Sequence, residues 1–185
     1  TMKKGGRLPT IVLAGLLLIT GIQSIQAGDI TQPELKDTRN DSLKNWDILS
    51  GWFHEPTNNK EYLYVTIHMH ALSRLPSTYN VNFTTGATLY ELTVSITPFS
   101  IPQFQLITKD QHTKTQVIKG NIDFEDCTIT FKIPKYSIPQ LQPGTLLTNT
   151  HAASKFNIAQ LLNENLLIYT YFTDAVYGSN YRIQY

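Results

Sequence analysis

The sequence predicts an all-β chain, an antiparallel β-sandwich of about eight strands preceded by an N-terminal hydrophobic helix. Three observations carry that expectation. Short runs with period-two alternation recur at roughly ten-residue intervals from residue 45 onward, and turn-forming residues separate them. Charged residues make up only 16% of the 185 residues, against a usual share near one quarter, which excludes a disordered or coiled-coil chain. The first charge-free stretch, from Leu8 to Gly28, is the one segment with the composition of an apolar helix.

That N-terminal segment begins with Lys3, Lys4 and Arg7 and continues with the apolar run Ile11-Val-Leu-Ala-Gly-Leu-Leu-Leu-Ile19. A basic start, about a dozen apolar residues and the small residue Ala27 match a signal peptide over residues 1–27. The alternative is an uncleaved membrane anchor, since about 20 uncharged residues span a bilayer. Either way the rest of the chain is expected to be exported: extracellular, periplasmic or at the cell surface. Set aside the leader, and the formal charge of +1 becomes 12 basic against 14 acidic residues. Such a balance offers no electrostatic footprint for nucleic acid. Residues 28–44 read as an extended acidic lead-in, and residues 45–185 as the β domain.

Within that domain the clearest strand is Glu61-Tyr-Leu-Tyr-Val-Thr-Ile-His-Met-His-Ala71, with Leu63, Val65, Ile67, Met69 and Ala71 on one face and Tyr62, Tyr64, Thr66, His68 and His70 on the other. Tyr79 to Phe83 and Leu89 to Ile96 form a hairpin across Thr84-Thr-Gly-Ala87, where glycine supplies a positive φ. Phe104 to Thr108 and Thr115 to Gly120 follow, joined by Lys109-Asp-Gln-His112. Cys127 to Ile133 is stopped by Pro134, which cannot donate to a ladder. Between Pro134 and Asn165 the alternation fails, and one short helix over Ser154 to Leu162 is the expected feature. Leu166 to Thr173 and Tyr181 to Tyr185 close the domain. The pattern is equally compatible with Ig-like and jelly-roll connections.

A resemblance follows from this order of pieces. Asp37, Asn40 and Asp41, then Trp46-Asp-Ile48, the Tyr79 to Leu92 hairpin, Gly120-Asn-Ile-Asp123 before Ile129-Thr-Phe-Lys-Ile-Pro134, and Pro143-Gly-Thr-Leu-Leu-Thr148 together make residues 37–185 similar to a secreted prokaryotic β-sandwich domain of unknown function, sometimes found beside extracellular peptidases. The resemblance implies an exported accessory or binding domain.

Several residues are candidates for chemistry. His68 and His70 project from one strand face about 7 Å apart, a spacing suited to copper or zinc, with His54, His112, His151, Glu55 or Glu61 as further ligands. Asp37, Asp41 and Asp47, joined by Asp174, are the oxygen donors for a structural calcium, although no glycine-centred Asp-x-Asp-x-Asp loop is present. Trp52, Tyr62 and Tyr64 are the candidate ligand-binding aromatics, because some of the many aromatic side chains must face outward. Cys127 is the only cysteine, so no intrachain disulfide forms. Asn40-Asp-Ser42 and Asn82-Phe-Thr84 are formal glycosylation triplets. Asp123, Glu125 and Asp126 read as a turn entering a strand. No nucleophile elbow, His-Glu-x-x-His helix or phosphate-cradling loop occurs, so no catalytic residue is assigned and no cofactor beyond the structural calcium is expected.

The functional expectation is an exported non-enzymatic β-sandwich that binds or adheres at the cell surface, with a protein or a glycan as partner. Two alternatives accompany it: an assembly subunit that donates residues 28–35 as a strand to an oligomeric neighbour, and a metal-handling protein centred on His68 and His70. Contact with a membrane is expected only through residues 8–27, if they are retained.

Overall fold

The computed structural model describes residues 28–37, 42–98, 100–157 and 170–185. Among them the chain runs through β1 (Leu35–Lys36), β2 (Ile48–His54), β3 (Tyr62–Met69), β4 (Ser77–Thr85), β5 (Thr88–Ile96), β6 (Gln103–Lys109), β7 (Lys114–Asp123), β8 (Thr128–Pro134), a 3₁₀ turn at Lys135–Ser137, β9 (Leu146–Asn157), β10 (Thr170–Tyr177) and β11 (Tyr181–Arg182). The hydrogen-bonded order is β1-β2-β3-β8-β7-β6-β5-β4-β9-β10, with β11 on β9. Every ladder is antiparallel, and the sheet curls into a half-barrel. The expected signal peptide or anchor lies outside the described residues, and so does the N-terminal helix. No helix among the described residues is long and apolar enough to cross a membrane.

β7 links the two halves of the sheet by changing partner halfway. Its first half, Lys114 to Ile118, pairs with β6, and its second, Lys119 to Asp123, pairs with β8. The handover needs Gly120: a Cβ there would lie 2.2 Å from a ring carbon of Phe104. That ring instead meets Phe131 edge-on at 5.4 Å, joining β6 to β8 across the core. A second aromatic junction centres on Phe53 of β2, edge-on to Phe83 of β4 at 5.9 Å and stacked with Tyr181 at 5.4 Å. One continuous core therefore lies on the concave side, filled by the inward set of each strand, such as Leu63, Val65 and Ile67 of β3 and Tyr79, Val81 and Phe83 of β4.

Where the two ends of the sheet approach, backbone pairing gives way to side chains. Leu35 makes a single bridge to Gly178, and Ser179 donates its N–H to the Glu34 carbonyl at 2.9 Å. Elsewhere carboxylates take over the acceptor role: Asp174 accepts from the Ile48 amide across the seam at 2.6 Å, and beside it, at the β1–β2 end, Glu34 accepts from the Phe53 amide at 3.0 Å. Buried amides need such partners once the ladder ends. Burial pushes the Glu34 carboxyl up to about 6, partly offset by the bond from Phe53.

Among the described residues eleven strands replace the expected eight or so, and the largest correction concerns residues 146–157. Ser154 to Asn157 belong to β9, a 12-residue strand between β4 and β10, not to a helix; the rest of the expected helix lies outside the described residues. The alternation is hidden by a bulge: Asn149 adopts φ 52°, and pairing shifts from Asn82–His151 to Thr84–Thr148. Burial consequently changes parity from Leu147 to Thr150 and Ala152. The β4–β5 hairpin is as expected, with Gly86 at φ 59°.

Candidate functional site

The convex face of β2, β3, β8 and β7 follows from simple alternation. Phe53, Val65 and Phe131 turn inward, and a Cβ at Gly120 would point at Phe104 of the core, so the residues beside them turn outward. The register aligns Trp52, Thr66, Thr130 and Asn121 in one cross-strand row, and His54, Tyr64, Lys132 and Lys119 in the next. Neighbours within a row are about 5 Å apart and the rows about 7 Å. Trp52, Tyr62 and Tyr64, the three aromatics singled out in the sequence, thus share one surface, each half-buried.

Their geometry is set by neighbours. The Tyr62 and Tyr64 rings lie 6.4 Å apart, tilted by 55°. The Lys132 ammonium sits 4.2 Å from the centre of Tyr62 and 5.5 Å from that of Tyr64, a cation–π arrangement that orders all three side chains. Asn59 donates to the Tyr64 hydroxyl at 3.3 Å, and the hydroxyls of Thr66 and Thr130 bond to each other at 3.0 Å. The result is a surface of two ordered tyrosine rings and a positioned cation beside the half-buried Thr130, with Thr66 buried beneath, suited to stacking and hydrogen bonding.

A cleft of about 610 Å³ continues this face toward the seam, lined by Ile30, Lys36, Asp37, Leu49, Ser50 and His68. Two of its lining residues, Ser50 and His68, face each other across β2 and β3. His70 follows β3 and is held by Asp47, whose carboxylate lies 3.0 Å from Nδ1 and whose carbonyl accepts the His70 amide at 2.8 Å. Of the proposed calcium donors, Asp47 and Asp174 both reach the start of β2, Asp37 lies in the cleft, and Asp41 is outside the described residues. Among the described residues no group of three or more His, Cys, Asp or Glu is placed to hold a metal ion.

The remaining candidates are dispersed. His112 lies in the β6–β7 turn, and His151 on β9 stacks on Tyr177 at 5.5 Å and bonds to the Asn82 amide at 2.8 Å. Asn82 stands mid-strand, paired on both sides. Asp123 accepts from the amides of Glu125 and Asp126 at 2.9 and 3.0 Å, the turn expected there. Trp46 is core, its indole bonded to Ser77 at 2.9 Å. Within residues 28–35, Leu35 pairs with Gly51 and is fully buried, whereas residues 29–32 are exposed.

Sequence reasoning missed a buried cluster around Glu55. Its carboxylate pairs with Lys135 and accepts from the Tyr181 hydroxyl at 3.0 Å and the amides of Gln184 and Tyr185 at 2.7 and 3.3 Å. Burial first, and then the Glu55 charge, raise the Tyr181 phenol far above its ordinary range. The carboxylate is saturated, so the cluster reads as a latch for the C-terminal residues. Lys132, Thr66 and Thr130 were legible as outward residues, but only the strand order places them beside Trp52 and Tyr64.

Compared with protein-family models, curated proteins and solved structures, the chain matches none of them.

Proposed function

We propose that this chain is an exported, non-enzymatic β-sandwich domain that acts in binding or adhesion at the cell surface, and that the convex face of β2, β3, β8 and β7 contacts its partner. The observation that carries this reading is the placing of Trp52, Tyr62 and Tyr64, from two strands, on one face of the sheet, where Lys132 orders the two tyrosine rings. Rigid aromatics with few side-chain rotations lose little entropy on binding, which makes them effective anchors. The sandwich description draws support from Phe53 meeting Phe83 across the core, one from each half of the sheet. Export rests on the basic, apolar leader.

The test is a paired screen of the purified domain on immobilised glycans and on a cell-surface fraction, wild type beside Trp52→Ala and Tyr64→Ala. Capture by the wild type and its loss in both variants is the expected result. Two blank screens, or capture that ignores both substitutions, would contradict the proposal.

A further inference from the structure

Lys132 and Lys119 stand directly opposite each other on adjacent strands, at the end of the row that contains Tyr64. Like charges in that relation destabilise a sheet unless something compensates them. Among the described residues neither lysine has an acidic partner: the ion pairs there are His70–Asp47, Lys109–Glu91 and Lys135–Glu55. Asp123, at the far end of β7, accepts the turn amides of Glu125 and Asp126 and forms an ion pair with neither lysine. Lys132 is also held in place, its ammonium over two tyrosine rings, so an arriving anion meets a charge already positioned.

We infer that the ligand of this face is an anionic saccharide, whose ring faces stack on Trp52, Tyr62 and Tyr64 while a carboxylate or sulfate group lies between Lys119 and Lys132. This rests on the reading of the convex face as the binding face. The charge complementarity is local: the Lys132 cation beside two tyrosine rings and the Lys119 cation on the next strand, with the half-buried Thr130 and the exposed Asn121 amide in the adjoining row for sugar hydroxyls. A nucleic acid would also stack on aromatics, but it calls for a basic track along a phosphate backbone. The chain past its leader is slightly acidic, with 14 acidic and 12 basic residues. Lysine suits the saccharide role, since a compact ammonium on a flexible stem reaches carboxylate and sulfate oxygens equally well.

Affinity electrophoresis in EDTA, through gels containing polygalacturonate, dextran sulfate or uncharged dextran, tests this inference. Retardation by a charged polymer but not by dextran is expected, and which of the two retards tells carboxylate from sulfate. Lys132→Ala and Lys119→Ala should each weaken retardation about tenfold, the loss of one charge-assisted bond, and added salt should weaken the wild type. Both lysines face outward, so the variants keep the fold; a circular dichroism spectrum checks it. Equal retardation by dextran, retention unchanged in both lysine variants, or stronger competition by single-stranded oligothymidylate would each overturn the inference. Loss in Trp52→Ala without loss in the lysine variants would sink the anionic ligand alone; loss in neither would remove the binding face as well.

Discussion

Replacing Glu55 with alanine would leave the Lys135 ammonium, the Tyr181 hydroxyl and two backbone amides without the carboxylate that now receives all four. The Glu55 side chain is fully buried and that of Lys135 only 10% exposed, so solvent cannot substitute. Breaking a buried ion pair from one side costs about 3–5 kcal/mol. For a domain of this size that corresponds to a fall in Tm of about 6–20 °C. Lys135→Met should cost less, because the remaining carboxylate keeps three neutral donors. Glu55→Leu with Lys135→Met should recover much of the loss, since a buried pair replaced by apolar side chains of similar volume is often close to neutral. Urea unfolding followed by tryptophan fluorescence reads each value as a shift in midpoint at constant slope. A cost below about 1 kcal/mol for Glu55→Ala, or a double variant weaker than either single one, would refute the account of this latch.

Three further outcomes follow from the structure. Glu34 has its carboxyl raised from 4.5 to about 6 by burial; the folded state then holds the extra proton between those values, so stability falls as pH rises from about 4.5 through 6 and levels off above. Glu34→Gln should remove that slope and stabilise the protein at pH 7 by about 1 kcal/mol, allowing for solvent that still reaches the group, as measured by urea unfolding across pH. Gly120→Ala forces a Cβ into the Phe104 ring and should cost about 1–3 kcal/mol, with partial rescue by Phe104→Leu in thermal melts. Asn149→Gly should be neutral or slightly stabilising at its φ of 52°, whereas Asn149→Val should cost about 1–2 kcal/mol on the same assay.

How far the sequence discloses this fold depends on how local each signal is. The β4–β5 hairpin was legible because its turn residues and both alternations are contiguous. β8 was legible because Pro134 ends it where pairing ends. β9 was not: Asn149 inverts the parity midway, and Ala152, Ala153 and Ser154 carry little apolar signal although all three are buried between neighbouring strands. Ser154 is inward because its hydroxyl bonds to the Trp46 carbonyl, a partner 108 positions away. β2 was hidden in the same way, by a register shift at its start and by Gly51, whose missing side chain makes room for Leu35. The proposed binding face was half-legible. Alternation identifies Tyr62 and Tyr64 as outward, but their meeting with Trp52 and Lys132 depends on β3 lying between β2 and β8, which no local pattern encodes.

Amide hydrogen–deuterium exchange of the domain, with and without the cell-surface material that captures it, shows whether the proposed ligand sits on the convex face of β2, β3 and β8. Added protection concentrated in residues 62–66 and 128–132 is expected. Protection confined to β4, β5 and β6, or none anywhere while binding is demonstrably saturated, would contradict it.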